Sequence, residues 1–198
     1  MSKVIGITGG IGSGKSLVCK VFSVLGIPIY EADARAKYLI SHDQLLKKSI
    51  IELLGEQAYL ASGDYNRAWV ASQVFGNPIL LSKLNALVHP KVRQDATDWI
   101  QRNQQTSFVL YEAALMKAAG DGNTFDKVIV VNAPVDLRIQ RIKVRDQRSE
   151  AEIRAIIERQ ISEEERRKIA DFTIENDEKQ PLLPQILDLY EKLQVESD

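Results

Sequence analysis

The sequence contains a single cysteine, so no disulfide can form within the chain. Cys19 lies in an apolar helical run with Val18 and Phe22, and we predict a small core residue rather than a redox-sensing thiol. No apolar stretch approaches the ~20 residues that a membrane-spanning helix needs. The 26 basic and 27 acidic side chains leave a net charge of −1, which argues against a general nucleic-acid or membrane-surface role.

The N-terminus lacks a basic segment followed by an apolar one, and a glycine-rich loop begins already at Gly9. We therefore expect no signal peptide and a cytoplasmic protein. The length of 198 residues and the apolar content of 44% fit one compact unit with a sizeable core.

Apolar runs and helical spacings alternate along the chain in a way that is typical of a parallel α/β sheet. Strands are predicted at 3–8, 27–30, 107–111, 127–134 and 171–176. A turn signal at 60–67 predicts a small loop or a hairpin, and a helix that starts at Asn77-Pro78 is expected to be interrupted at His89-Pro90. The other helices are predicted at 15–25, 43–54, 67–75, 90–103, 135–145, 149–168 and 181–195.

Residues 9–16, Gly-Gly-Ile-Gly-Ser-Gly-Lys-Ser, fit the phosphate-loop pattern G-x-x-x-x-G-K-[ST] between a predicted strand and a predicted helix. Glycines let successive N–H groups surround phosphate oxygens, and the helix N-terminus adds partial positive charge. In this pattern Lys15 bridges the β- and γ-phosphates and the Ser16 hydroxyl ligates Mg²⁺. The alternative is a glycine-rich turn without a ligand. We assign ATP binding to Gly10, Ile11, Gly12, Ser13, Gly14, Lys15, Ser16 and Leu17.

Segments outside the loop narrow the class of nucleotide-binding protein. A GTPase switch needs Asn-Lys-x-Asp after a late strand, but the fourth strand runs into Val-Asn-Ala-Pro-Val-Asp at 131–136. A motor or AAA-type ATPase needs a hydrophobic strand that ends in aspartate, and the third strand ends in Tyr111-Glu112. A small-molecule kinase is the class that is left.

Two further features suit a kinase. Asp33 follows the second strand, where a carboxylate accepts the proton of an acceptor hydroxyl or orients it; the alternative is a helix N-cap for 34–40. Eight arginines lie between 138 and 168, and those at 138, 141, 145 and 148 are predicted to share a helix face. We expect at least one to clamp phosphate and most others to pair with glutamates on a solvated surface.

The chain resembles the dephospho-coenzyme A kinase family over nearly its whole length. The matching segments are IGITGGIGSGKS at 5–16, GIPIYEADARA at 26–36, VFGNPILLSKLNALVHPKVR at 74–93, FDKVIVVNAPVDLRIQRIKVRD at 125–146 and ISEEERRKIADFTIEND at 161–177. The resemblance implies transfer of the ATP γ-phosphate to the ribose 3′-hydroxyl of dephospho-coenzyme A. It also implies a three-layer α/β/α P-loop kinase core with a five-stranded parallel sheet. The core is expected at 1–33, 104–136 and 169–198, a helical substrate-binding insertion at 34–103 and a helical lid at 137–168.

The resemblance further implies roles for individual residues. Asp33 matches the general base, Arg141 the lid arginine near the transferred phosphoryl group, and Asn176 an asparagine near the ATP base. His89 and Arg93 fall in a segment that helps to hold the acceptor; a histidine before proline also suits a cap for a helix that begins at Pro90.

The sequence departs from the family pattern in three places. Glu31 and Leu17 replace a common aspartate and threonine, and Tyr111 stands where an aspartate is common. Glu112 is the nearest carboxylate. It would either shape the acceptor pocket or support the water shell of the metal. We assign Thr8 and Glu112 to the acceptor site.

Cofactors are expected to be ATP and Mg²⁺, with a small-molecule partner and neither nucleic acid nor membrane. A monomer or a weak homo-oligomer is expected. Two rivals are a kinase for another nucleotide or small metabolite and a non-catalytic ATP-binding module.

Overall fold

The computed structural model describes residues 2–114, 116, 119–120 and 123–195. The remaining residues of the ranges 1–33, 104–136 and 169–198, which were predicted to form the core, lie outside the described residues. Five strands form a parallel sheet in the order β2-β3-β1-β4-β5. Each strand overlaps its predicted range, which confirms the α/β class. The strands are β1 Lys3–Gly9, β2 Ile29–Glu31, β3 Phe108–Glu112, β4 Lys127–Asn132 and β5 Phe172–Glu175.

The helices connect these strands and also form the block between β2 and β3. A short 3₁₀ helix at Glu56–Ala58 lies between α3 and α4. No described helix is both long and apolar enough to cross a membrane. The α-helices are α1 Lys15–Val24, α2 Ala32–His42, α3 Gln44–Leu54, α4 Arg67–Val74, α5 Pro78–Arg102, α6 Val135–Asp146, α7 Glu150–Glu158, α8 Glu163–Lys168 and α9 Leu182–Val195.

The predicted helix break at His89-Pro90 is wrong, because α5 continues through Pro90. Proline removes one intrahelical hydrogen bond and usually kinks or ends a helix. Here apolar side chains at helical spacing are buried on both sides of the proline, so packing holds the helix together across the missing bond. These buried residues are Leu84, Val88, Val92 and Ala96.

The predicted single helix over 149–168 is also wrong, because α7 ends at Glu158 and α8 begins at Glu163. The Ser162 hydroxyl accepts a hydrogen bond from Glu165 N, and the Glu165 carboxylate accepts one from Ser162 N. This capping box starts a new helix at Ser162. The break leaves Gln160 in the connection between the two helices.

The main core lies between the sheet and the helices α1 and α9. Phe22 of α1 contacts Phe108 of β3 edge-to-face, with ring centroids 6.2 Å apart. Cys19 is buried in the same cluster, which confirms it as a core residue. Burial raises the pKa of its thiol to about 11, so the thiol stays protonated and unreactive near neutral pH.

The chain divides into two compact units, Met1–Glu31 with Ile100–Asp198, and Ala32–Trp99. The second unit covers most of the predicted insertion 34–103. Within it, Arg35 Nε and Nη2 lie 2.9 and 2.6 Å from the Asp95 carboxylate, which joins α2 to α5. The division into core, insertion and lid stays a prediction.

Candidate active site

The loop between β1 and α1 lies at the carboxyl edge of the sheet, where parallel α/β sheets bind ligands. β1 has β3 and β4 as its neighbours, and the loop therefore follows the central strand. All four residues at 128–131 of β4 are at most 1% exposed, so the strand next to β1 is packed on both faces.

Three consecutive carbonyl oxygens of the loop are held by side chains from distant parts of the chain. The oxygens of residues 11–13 accept, in order, from Arg138 Nε at 2.8 Å, Arg141 Nη1 at 3.5 Å and Asn176 Nδ2 at 2.8 Å. Because the N–H and C=O groups of a peptide point in opposite directions, outward carbonyls leave amides for the inner side. The three side chains thus hold the loop open as an anion-binding concavity.

The inner side of the loop forms a cavity of about 350 Å³. The N–H groups of Gly12, Gly14 and Ser16 have no acceptor among the described residues. Together with the N-terminus of α1 they supply the donors and the partial positive charge that a phosphate needs. The phosphate cavity, as we call it, is lined by residues 9–16 with Ala114, Arg145 and Gln160.

Close approach of Arg138 explains two of the glycines. A Cβ atom at Gly10 would lie 2.6 Å from the guanidinium carbon of Arg138. Gly12 has a φ of +78°, and a Cβ there would lie 2.8 Å from the carbonyl oxygen of Arg138. A side chain at Gly10 would displace the guanidinium group of Arg138, and one at Gly12 would push the backbone of α6 away from the loop. Glycine is therefore required for packing as well as for phosphate access.

Arg138 supports the loop from behind and does not face solvent. Its side chain is 2% exposed, and its Nη1 pairs with Glu163 at 3.1 Å. Arg166 is also buried, and both burial and the nearby charge of Arg138 lower the pKa of its guanidinium. Arg138 therefore does not belong to the predicted solvated arginine face. Arg154 does belong to such a face, because it pairs with Glu150 one turn away.

Lys15 at the start of α1 forms an ion pair with Glu112 at the end of β3. Glu112 is also the register neighbour of Glu31 in β2, which places two carboxylates on adjacent strand ends. The Thr8 hydroxyl donates to the Ala114 carbonyl oxygen at 3.3 Å. Glu112 balances the charge of Lys15 in this structure. A bound triphosphate would have to replace Glu112 as the partner of Lys15.

A second cavity, of about 680 Å³, lies on the other side of Gly14. Arg141 borders it, and its Nη2 donates to the Asn176 carbonyl oxygen at 3.2 Å and to Glu178 at 3.0 Å. Leu17 is exposed here and offers an apolar surface. We call this the base cavity; it is lined by Gly14, Leu17, Arg141, Asn176 and residues 178–182.

The structure therefore places two arginines of α6 at different cavities. Arg141 borders the base cavity, whereas Arg145, one turn further, lines the phosphate cavity. The sequence assigned the phosphoryl contact to Arg141 and named Arg145 only as a member of the same face. The i, i+4 spacing from Arg141 was the sequence signal that could have identified Arg145 as a site residue. No sequence signal identified Gln160, which lines the same cavity.

Of the residues predicted for the acceptor, Asp33, His89 and Arg93 belong to the unit Ala32–Trp99, whereas Thr8 and Glu112 belong to the other unit. Asp33 lies in the first turn of α2, which begins at Ala32, so the N-cap alternative for 34–40 is wrong. His89 and Arg93 are exposed one turn apart on α5. The cap alternative for His89 is wrong as well, since no helix begins at Pro90. The side chains of these three residues make no hydrogen bond or ion pair with another described residue.

The chain is similar to known proteins in both sequence and fold. A dephospho-CoA kinase of Bacteroides fragilis is 35% identical over 189 residues, which cover 96% of this chain and 92% of that protein. A crystal structure from Thermus thermophilus aligns with a TM-score of 0.83 at 30% identity, covering 98% of this chain and 97% of the other. A dephospho-CoA kinase from Campylobacter jejuni shares the fold, with a TM-score of 0.72 at 24% identity over the full length of both chains.

The family comparison covers both compact units. The family model described as Dephospho-CoA kinase matches residues 3–181, from the first residue of β1 to the residue before α9. The match includes the phosphate loop, the helical block 32–99, the arginines of α6 and Asn176. Since it spans most of the 198 residues, the chain belongs to the dephospho-CoA kinase family.

Proposed function

We propose that this chain transfers the γ-phosphate of ATP to the ribose 3′-hydroxyl of dephospho-coenzyme A, the last step of coenzyme A biosynthesis. The observation that carries the proposal is the concavity of loop 9–16, its carbonyls turned outward, in a chain that belongs to the dephospho-CoA kinase family. The products are coenzyme A and ADP.

The donor half of the reaction needs stabilisation of charge on the phosphates. The loop amides and Lys15 supply it to the β- and γ-phosphates, and Arg145 adds a guanidinium from the cavity wall. Arg141, Asn176 and Leu17 border the cavity proposed for the base. During transfer, the bond from Pγ to the β,γ-bridging oxygen breaks while a bond from the acceptor oxygen to Pγ forms.

The acceptor half needs a group that takes the hydroxyl proton or orients the hydroxyl. We propose Asp33 for this role, because its carboxylate is exposed and makes no hydrogen bond or ion pair with another described residue. His89 and Arg93, exposed one turn apart on α5, are proposed to hold the anionic acceptor.

The proposed Mg²⁺ would bind between the phosphates and the protein. In the described part of the chain, no three His, Cys, Asp or Glu residues are grouped for a metal. A hard cation that takes most of its oxygens from phosphate and water needs only one or two protein ligands. The Ser16 hydroxyl, with the Glu31 and Glu112 carboxylates on adjacent strand ends, is an oxygen donor set that fits it. Bound there, Mg²⁺ would neutralise phosphate charge.

We also propose a cytoplasmic enzyme that acts as a monomer or weak homo-oligomer without nucleic acid. The buried single thiol supports a compartment in which no disulfide is required.

An acceptor panel tests the proposed function. Release of ADP from ATP is measured with dephospho-coenzyme A, nucleoside monophosphates and shikimate in turn. We expect turnover with dephospho-coenzyme A to exceed the others by at least about 100-fold, since a site built for one polar acceptor rejects analogues strongly. Preference for another acceptor would establish a different kinase, and ATP binding with no acceptor-dependent release would establish a binding module.

A further inference from the structure

Gln160 connects the turn after α7 to the phosphate loop. Its Oε1 accepts a hydrogen bond from the Ile11 backbone N–H at 3.0 Å and another from Arg138 Nη2 at 3.3 Å. Arg138 Nε in turn donates to the Ile11 carbonyl oxygen. The backbone N–H of Ile11 is therefore held by Gln160 and its C=O by Arg138, and these two side chains also bind each other.

These contacts determine which way the Gln160 amide faces. An amide N–H and a guanidinium can only donate, so both must face the carbonyl oxygen of the side-chain amide. The NH₂ group is then the end that points away from them, and it has no acceptor among the described residues. Because Gln160 lines the phosphate cavity, a hydrogen-bond donor is held at the cavity wall.

The two cavities define the direction in which a nucleotide would lie. Among the described lining residues, Gly14 is common to the phosphate cavity and the base cavity. A base beside Leu17 and Asn176 would direct the phosphates past Gly14 toward the loop. Gln160 contacts the loop at Ile11, three residues further from the base cavity than Gly14, where the last phosphate of the series would lie.

We propose that Gln160 Nε2 donates a hydrogen bond to an oxygen of the terminal phosphoryl group of ATP, an inference that rests on ATP being the substrate of the proposed reaction. The carbonyl end of the same amide keeps the donor in position through Ile11 and Arg138. Hydrogen bonds to charged groups are stronger than those between neutral groups, so the contact would distinguish ATP from ADP.

The test is the Gln160→Glu variant, measured by calorimetry with ADP and with the non-transferable analogue adenosine 5′-(β,γ-imido)triphosphate. A glutamate keeps an oxygen for Ile11 N–H and Arg138 but replaces the donor with a negative charge. We expect the Kd of the triphosphate analogue to rise about tenfold or more and that of ADP by less than about threefold. The Tm should not fall, because the charged oxygen pairs more strongly with Arg138.

Two further variants keep the inference open to refutation. Gln160→Met removes both the donor and the oxygen that binds Ile11 and Arg138, without adding charge, and it should also weaken the analogue more than ADP. Glu163 is another partner of Arg138, and Glu163 is not among the residues that line the phosphate cavity. The Glu163→Gln variant should therefore leave the ratio of the two Kd values unchanged. A wild-type ratio in either folded Gln160 variant, or an equal change in Glu163→Gln, would overturn the contact.

The acceptor panel with the unmodified chain separates this inference from the proposed function. If the chain fails to use dephospho-coenzyme A while Gln160→Glu still weakens the triphosphate selectively, the function is wrong and the contact stands. If turnover is found and the ratio does not change, the function stands and the contact is wrong.

Discussion

The residues proposed for ATP and those proposed for the acceptor differ in how firmly the fold holds them. Around the loop, Arg138 and Asn176 bind backbone carbonyls at 2.8 Å, and Lys15 pairs with Glu112. In the unit Ala32–Trp99, Asp33, His89 and Arg93 are exposed and have no such bond to another described residue. The loop is thus pre-organised by protein contacts, whereas Asp33, His89 and Arg93 are available for a ligand to organise.

The strongest expected effect is that of Asp33→Asn. Loss of the carboxylate should lower kcat about 1,000-fold, within the range for a general base, while the Kd of ATP and the Tm stay near their original values. The Tm is expected to stay because the carboxylate makes no bond that folding would lose. Steady-state kinetics, nucleotide titration and thermal melting check the three quantities, and near-normal turnover would remove the base assignment.

Lys15→Ala should affect both catalysis and stability. We expect kcat/KM to fall by about 100-fold, because one charge near the phosphates is lost. The Tm should fall by a few degrees, since the partly buried Glu112 loses its partner. The double variant Lys15→Ala/Glu112→Gln is the control, and it should regain the lost Tm but not the activity. A Lys15→Ala protein with normal melting would show that the ion pair contributes nothing to the fold.

The next prediction compares Arg141 and Arg145 of α6, which line different cavities. Arg145→Ala should lower kcat about tenfold, and Arg141→Ala should raise the KM for ATP about tenfold with a smaller change in kcat. The reason is that Arg145 lines the phosphate cavity and Arg141 the base cavity. Initial rates over a range of ATP concentrations measure both, and the reverse pattern would return the phosphoryl contact to Arg141.

Asp43→Ala should produce the smallest effect and none on nucleotide binding. The Asp43 carboxylate caps α3 by accepting from Leu46 N, and that hydrogen bond lowers the pKa of Asp43 below its usual value. The contribution to stability is present above the ordinary aspartate pKa of about 4 and is lost as the pH falls through the lowered value. We expect a loss of about 1 kcal/mol at neutral pH, and the Tm difference between variant and wild type should vanish in strong acid.

Local sequence was sufficient for the strands and the loop. The apolar run at 128–131 and the glycine pattern at 9–16 each determine their own backbone, so both were predictable. Pro90 was misleading because packing of buried side chains along α5 outweighs the hydrogen bond that proline removes.

Contacts between distant residues were not predictable in the same way. Helical spacing placed Arg138 and Arg145 on one face, but it could not show that the first is buried beneath the loop and the second is exposed. Gln160 and Ile11 are 149 residues apart in sequence, and no local pattern marks either as a partner of the other.

The supports of the loop have a consequence for synthesis of the chain. The motif at 9–16 is synthesised before Arg138, Arg141 and Asn176, which hold its carbonyls. A nascent chain that ends before β5 lacks Asn176, so the Ser13 carbonyl has lost its partner and is free to turn inward. We therefore expect nucleotide to stabilise the chain fully only after Asn176 has been synthesised.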